Sequence, residues 1–339
     1  MFILDLVRRA SVTAAAAVLA SCSSAGTPLR GLPPSGGSFA ARAEPATQYD
    51  GKVFVSDLVN GSVWICPANF HDIRNGFTFP TGQLSGVSNP VQIAVDRDGT
   101  VYVANSQTDA TGAGSVTIYP RGHTAPTRTL TAGLNTSMGV AVDSAGTVYV
   151  SNKLLGAIES FPKGESVPSA TITANLKGPD GLAVDRAGDL FVADSSANDV
   201  LVLAHGSKTP KSLGLGGLTR PTGIAVDARG NLYVANLLGT SSSVAVYAPQ
   251  ATKPSREFAV RGPYGLVDQP LMLSIAPGDM LIVSAFSSLR RIQGVWSAYG
   301  AVASGYAAGE SRPAWREFNQ SFNYGEFVTY DDAVFVPAR

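Results

Sequence analysis

One phrase occurs four times in the middle of this chain, and no other feature constrains its fold as strongly. Each copy begins with a run of small or branched apolar residues that ends in Asp, at residues 93–96, 140–143, 182–185 and 224–227. A Gly-containing turn follows, and then a second apolar run that ends in Asn or Asp. The copies recur every 42 to 47 residues, so each is long enough to be one supersecondary unit of a repeat architecture.

Each copy contains four short apolar segments, which Gly, Pro, Asp and Asn separate. Such segments are typical of antiparallel strands joined by tight turns. A repeat of this length that is built from strands, with no helical pattern, predicts a β-propeller with one four-stranded blade per copy. The first segment suits an innermost strand beside a central channel, because it is apolar on both faces.

The two ends of the chain hold the pieces that would close the ring. A fifth full copy lies at residues 273–284, while the N-terminal segments 51–57 and 62–67 lack a first strand. The C-terminal segments 326–331 and 333–336 resemble a first and a second strand. Joining both ends in one blade removes the exposed sheet edges, which predicts an all-β, six-bladed propeller. Because both end pieces carry a second-strand segment, seven blades with the last incomplete is the alternative.

Two sets of residues are predicted at the mouth of the channel. The first set precedes the innermost strands and is chemically mixed: Gln92, Met138, Asp180, Thr222 and Leu271. The second set ends the second strands and is polar: Asp57, Asn105, Asn152, Asp194, Asn236 and Ser284. Amides and carboxylates in a ring could bind a cation or a sugar-like ligand. The alternative is that these side chains satisfy the backbone of the loops. Similarly, Asp in each Asp-x-x-Gly segment is predicted to form a turn.

The N-terminus has the features of an export signal. Arg8 and Arg9 precede an apolar run at residues 10–19, and Leu19-Ala20-Ser21-Cys22 resembles the bacterial lipoprotein box. We therefore expect a signal peptide at 1–21, a lipidated Cys22 with a flexible Ser-, Gly- and Pro-rich tether at 22–47, and a propeller at 48–339. The protein would then be exported and bound to a bacterial membrane through its lipid alone, facing the periplasm or the cell surface. An ordinary secretory signal is the alternative.

Composition argues against several functions. The formal net charge is zero and 15% of residues are charged, so no nucleic-acid partner is expected. His71, His123 and His205 lie in turns of different blades, which does not predict a zinc site. No nucleophile elbow or phosphate-binding loop occurs, and we assign no catalytic residue.

One stretch departs from the repeat. Residues 287–324 extend the fifth period and are rich in Arg and aromatic side chains, including Arg290, Trp296, Trp315 and Arg316. These residue types, inserted in a rigid scaffold, are typical of a recognition surface. The alternative is that they pack within the closing blade.

The repeated phrase resembles the NHL repeat over about residues 50–285. The likeness is carried by Pro179-Asp180-Gly181 and Pro221-Thr222-Gly223, each followed by the apolar run and Asp. NHL propellers mostly bind proteins, peptides, carbohydrates or nucleic acids, and a few are enzymes.

The related SMP-30/gluconolactonase type shares the Pro-Asp-Gly phrase, in which Asp is a metal ligand, so the resemblance makes Asp180 a candidate ligand for Ca²⁺. However, Met138 stands where that family has Asn, and its early Glu is not recognisable. The sequence therefore favours a non-catalytic binding or scaffold module for a protein or glycan partner at the cell envelope. A divalent-metal-dependent lactonase or hydrolase is the alternative.

Overall fold

The computed structural model describes residues 51–57, 61–67, 81–106, 113–238, 241–261, 269–276, 279–286, 290–292, 295–297, 301–306, 309–310, 315–319 and 330–337. The predicted signal peptide, Cys22 and the tether lie outside the described residues. Within these ranges, no helix has the length and apolar character needed to cross a membrane.

Strands account for nearly all regular structure in this part of the chain. The first three are β1 (Gly51–Asp57), β2 (Ser62–Pro67) and β3 (Gly82–Leu84). The next three groups are β4 (Pro90–Val95), β5 (Val101–Asn105), β6 (Ser115–Tyr119), β7 (Arg128–Leu130); β8 (Ser137–Val142), β9 (Val148–Asn152), β10 (Ala157–Phe161), β11 (Ala170–Ile172); and β12 (Pro179–Val184), β13 (Leu190–Asp194), β14 (Asp199–Leu203), β15 (Lys211–Ser212).

The later strands continue the pattern. They are β16 (Pro221–Val226), β17 (Leu232–Asn236), β18 (Ser243–Tyr247), β19 (Arg256–Phe258); β20 (Gln269–Ala276), β21 (Met280–Phe286), β22 (Arg290–Ile292), β23 (Val295–Ser297), β24 (Ala301–Tyr306), β25 (Trp315–Asn319); and β26 (Tyr330–Pro337). The fold is an all-β propeller of four-stranded antiparallel blades, as the repeat predicts.

Five blades are each built from one continuous stretch of chain. Their strand orders are β4-β5-β6-β7, β8-β9-β10-β11, β12-β13-β14-β15, β16-β17-β18-β19 and β20-β21-β24-β25. The described residues thus show five continuous blades, whereas the sequence predicted six, with the sixth composed of both chain ends, or seven. The remaining four-stranded sheet is composite, because β26 pairs with β1 in the order β26-β1-β2-β3.

The C-terminal segment was assigned wrongly in one respect. Residues 333–336 resemble a second strand in sequence, but they belong to β26, the strand that pairs with β1 from Gly51 to Asp57. β26 is also in contact with β4 and β20, the innermost strands of the first and last continuous blades. The first-strand and second-strand patterns are both apolar runs ending in a polar residue, so composition alone does not separate them.

The hydrophobic core lies between neighbouring blades. Tyr102 and Ile118 of one blade pack with Val140 and Val150 of the next, and the same arrangement recurs between later pairs. Each blade therefore buries both of its faces, which is why the second and third strands are apolar on both sides.

The propeller has two faces. At the upper face, the innermost strands begin and the second strands end; at the lower face, the Asp-x-x-Gly turns join the first two strands of each blade. In these turns the Asp carboxylate accepts two backbone N–H bonds, as Asp227 does from Arg229 and Asn231 at 2.9 and 2.8 Å. The Gly lies at positive φ, 82° at Gly230. The predicted turn role of these Asp residues is confirmed.

A tyrosine adds a third bond in three of the four turns. The hydroxyls of Tyr102, Tyr149 and Tyr233 donate to the second oxygen of Asp96, Asp143 and Asp227 at 3.1, 3.3 and 3.2 Å. Burial, together with the adjacent carboxylate, raises the pKa of Tyr233 to about 12. The phenol therefore keeps its proton and remains a donor at neutral pH.

The fourth turn lacks this bond, because Phe191 stands where the others have Tyr. We expect Phe191→Tyr to raise the free energy of unfolding by about 1 kcal/mol, since the new hydroxyl meets Asp185 without changing the turn. Urea unfolding of the two proteins checks this. The reciprocal Tyr233→Phe should lose a similar amount, and equal stability of all three proteins would contradict the role of the hydroxyl.

Candidate functional site

The residues predicted to line the channel lie at irregular points of the innermost strands. Gln92, Asp180 and Thr222 are buried, whereas Met138 and Leu271 are half-buried. Each lies where the pairing of the first two strands shifts register, for example between Pro179 and Leu182. The shift turns these backbones toward the channel and toward the next blade.

Gln92 spans the channel. From β4, its Nε2 donates to the carbonyl of Leu182 at 2.9 Å, and its Oε1 accepts from Leu182 N at 3.1 Å and Val140 N at 3.2 Å. The innermost strand of a blade has an open edge on the channel side, with unpaired backbone groups. The Gln92 amide pairs with that edge as a neighbouring strand would, and so joins three blades across the centre.

Glycine allows the innermost strands to approach closely. A Cβ at Gly139 would lie 2.2 Å from the carbonyl oxygen of Asp180 in the next blade, and Gly181 and Gly223 are similarly close to the following strands. Ser151 fills the remaining space, because its Oγ accepts from Gly139 N at 2.7 Å and donates to Asp180 O at 2.6 Å. The centre of the ring is consequently packed and hydrogen-bonded.

Asp180 is the one residue of the inner set that carries a charge. Its side chain is buried, and Oδ2 accepts from Lys153 Nζ at 2.6 Å. Oδ1 is buried and, among the described residues, accepts no hydrogen bond of ordinary geometry. Burial raises the pKa of the Asp180 carboxyl, while Lys153 and, more weakly, Ser195 and Arg220 oppose that rise. Lys153 is thereby held at the channel mouth.

A divalent cation does not fit the groups around Asp180. The described ranges hold no cluster of three His, Cys, Asp or Glu side chains. The charge next to Asp180 is the Lys153 ammonium, which repels a metal ion and occupies one carboxylate oxygen. Because the donor set is wrong for Ca²⁺, no metal-dependent step is assigned to this site.

The polar residues that end the second strands form hydrogen bonds with the backbone of the loops, which is the alternative to ligand binding. Asn152 Oδ1 accepts from Asn135 N at 3.0 Å and its Nδ2 donates to Gly133 O at 2.8 Å. Asn105, Asp194 and Asn236 make equivalent bonds with the preceding loops. Asp57 is buried and accepts from Trp64 Nε1 at 3.3 Å. Ligand binding by this set stays a prediction. It would require these side chains to give up their hydrogen bonds to the backbone of the loops.

The sixth member of that set was misaligned. Ser284 pairs with Met272, whereas the residue opposite Pro270, equivalent to Asn236 opposite Pro221, is Ala285. Ser284 matches Ala235 instead, and its Oγ donates to Met272 O at 3.3 Å. The polar ring is therefore interrupted in the last continuous blade, where the fifth copy of the repeat is least regular.

The four residues of the predicted recognition insertion do not lie on one element. Arg290 and Trp296 belong to the hairpin β22–β23, in which Arg291 pairs with Trp296. This hairpin belongs to the connection between β21 and β24, which is an upper-face connection in the other blades. Trp315 and Arg316 lie on β25, the outer strand, opposite Gly305 and Ser304. The structure thus divides the insertion into a hairpin and an outer strand.

A group of exposed residues at the upper face was not predicted from the sequence. Leu154 and Leu155 follow Lys153 in the β9–β10 turn and are 76% and 55% exposed, and Leu238 in the β17–β18 connection is 46% exposed. A usable signal was present, because adjacent leucines are unusual in a hairpin turn, where Gly, Asn, Asp and Ser prevail. Leu154 and Leu155 directly follow Lys153, which pairs with Asp180, and Leu238 follows Leu237, whose N–H donates to Arg220 O.

Comparison with known proteins supports the fold alone. No family model matches the chain, and no curated protein is similar to it in sequence. Among solved structures, a chain of the nidogen/laminin complex is similar, with 15% identity, a TM-score of 0.55, and coverage of 79% of this chain and 93% of that one. Hydrazine synthase of Kuenenia stuttgartiensis has 14% identity and a TM-score of 0.47, with coverage of 74% and 79%. The fold and site define a β-propeller with a packed centre.

Proposed function

We propose that this protein is a non-catalytic binding or scaffold module, which holds a protein or glycan partner on the upper face of its propeller. In this proposal, the composite sheet β26-β1-β2-β3 is the sixth blade of an NHL-like ring. Pairing of the two chain ends in one sheet supports closure, because it leaves β26 between the blades of β4 and β20.

The observation that carries the proposal is the exposed apolar surface on a rigid support. Leu154, Leu155 and Leu238 extend from short connections, while the strands below them are buried and hydrogen-bonded to one another. Exposed apolar side chains cost solubility, and in a cluster they are typical of a contact surface. Rigid placement of such side chains reduces the entropy lost on binding. The leucines favour a protein partner over a glycan.

The envelope location rests on the sequence. Arg8, Arg9, the apolar run 10–19 and Cys22 support export and lipidation, and residues 22–47 supply a tether of about 25–30 Å mean reach. A tethered head that binds without catalysis would act as a scaffold near the membrane. A propeller of similar fold is present in the nidogen/laminin complex, which is consistent with a protein-binding use of this architecture.

The test is capture of partners from a bacterial envelope extract by the full-length protein in detergent. We expect Leu154→Asp with Leu155→Asp to abolish capture of the partner that the unmodified protein retains. Val167→Asp is the matched control, because Val167 is 68% exposed in the β10–β11 connection at the lower face. Retention of the same partner by the double variant, or its loss in the control alone, would contradict binding at the upper face.

A further inference from the structure

We propose that the upper face docks an acidic polypeptide segment in which carboxylates alternate with apolar side chains. The inference deepens the proposed function and rests on it. The surface concerned, called here the leucine–cation patch, consists of Lys153, Leu154, Leu155, Lys177, Arg220 and Leu238.

Three consecutive blades bring the patch together around Asp180. Lys153 contacts the Asp180 carboxylate directly, and Arg220 is close enough for its charge to lower the pKa of that group. Lys177 lies on the connection that leads into β12, three residues before Asp180. Leu237 N donates to Arg220 O at 3.0 Å, which places Leu238 beside Arg220. The leucines and cations therefore share one surface.

The patch has an excess of positive charge. Lys177 and Arg220 are exposed and form no ion pair among the described residues. Among the described acidic side chains at this face, Asp57, Glu159, Asp180 and Asp194 are buried, and half-buried Asp199 accepts from Val200 N at 2.8 Å. Glu257 is exposed, and its carboxylate accepts from Ser243 Oγ. Two cations are thus left for an external carboxylate, and Lys153 is neutralised by Asp180.

The lower face also carries exposed cations. Arg97 lies beside Asp98, Lys163 lies near Glu165, and Arg229 Nε is 3.9 Å from Asp279 Oδ2, whereas Arg186, Lys208 and Lys253 form no ion pair among the described residues. Charge therefore does not by itself distinguish the two faces. Complementary charge steers association and selects partners, and at the upper face it acts together with the exposed leucines.

Because leucines are exposed beside the cations, a partner with carboxylates alone would leave part of the patch uncovered. Leu154 and Leu155 are adjacent to Lys153, and Leu238 is close to Arg220, so apolar and cationic contacts alternate across the patch. A segment with alternating Glu and Leu in extended form presents its two kinds of side chain on opposite faces. A turn or irregular backbone would present both to the patch together, and burial of each leucine would add apolar area to the contact.

The experiment measures fluorescence anisotropy of a labelled peptide in which Glu and Leu alternate, titrated with the full-length protein in detergent. We expect saturable binding that weakens with added salt, and at least about tenfold weaker binding to the variant Lys177→Glu with Arg220→Glu. A peptide of alternating Lys and Leu should not bind, and one of alternating Glu and Gly should bind more weakly. Lys163→Glu with Lys208→Glu, at the lower face, is the matched control.

The outcomes separate this inference from the function on which it rests. Equal affinity for the acidic and basic peptides, or unchanged affinity of the upper-face charge variant, would overturn the acidic partner. If that variant still captures its envelope partner while Leu154→Asp with Leu155→Asp does not, the binding module stands without the charge selection. If the protein binds no peptide but sedimentation shows self-association that the leucine variants abolish, the occupant is a second copy of this chain, and the inference fails.

Discussion

Replacement of Gly139 by Ala is expected to destabilise the protein by about 3 kcal/mol, although it adds only one methyl group. The new Cβ would lie 2.2 Å from the carbonyl oxygen of Asp180 and 2.9 Å from both Gln92 Oε1 and Ser151 Oγ. The nearest of these atoms belongs to the backbone of the next blade, which cannot rotate away as a side chain can. Relief of the clash requires two innermost strands to separate, with loss of the Ser151 bonds that join them.

Urea unfolding of the purified protein measures the effect, with the m-value compared to verify that the same structure unfolds. Gly216→Ala is the matched control, because a Cβ there meets only the carbonyl oxygen of Thr252 at 3.5 Å, and its φ is not positive. We expect this control to change stability by less than about 0.5 kcal/mol. If Gly139→Ala is as mild as Gly216→Ala, the innermost strands are not as closely packed as described.

The periodicity of the sequence was enough to predict the propeller and most of its blades. Strand bounds in the four regular copies follow directly from the apolar runs, and the Asp-x-x-Gly turns were correct because both Asp and Gly have local roles there. The fifth copy was harder. Its Ser284 matched the pattern of a terminal polar residue, but the register with β20 makes Ala285 the equivalent position. Register depends on pairing between strands, which a single strand does not encode.

The candidate site shows the same division between local and long-range information. Asp180 was found from the Pro-Asp-Gly phrase, yet its partner Lys153 is 27 residues away in another blade. The sequence therefore suggested a metal ligand where the structure has an ion pair. Gln92 was found as a channel residue, but its bonds to a strand 90 residues later could not be predicted. Such contacts arise from the curvature of the ring, which brings the innermost strands of non-adjacent blades together.

The hydrogen bonds of Gln92 lead to the second prediction of a large effect. Gln92→Met keeps the length of the side chain but removes its donor and acceptor. The N–H groups of Val140 and Leu182 and the Leu182 carbonyl then lose their partner at a place where the side chain is 4% exposed. Each buried polar group without a partner costs about 1–3 kcal/mol. We expect a loss of about 4 kcal/mol in the free energy of unfolding, since part of the cost is recovered by apolar packing.

Gln83→Met provides the control, because Gln83 is exposed on β3 and its replacement should change stability by less than about 0.5 kcal/mol. Amide hydrogen exchange distinguishes a specific loss from general destabilisation. If Gln92 pairs with the open edge of β12, the N–H groups of Val140 and Leu182 should exchange faster in Gln92→Met than in a variant that is destabilised elsewhere, such as Tyr233→Phe, when urea brings the two variants to equal stability. Equal protection of both amides in the two variants would show that the edge is satisfied by another group, and that Gln92 does not join the blades.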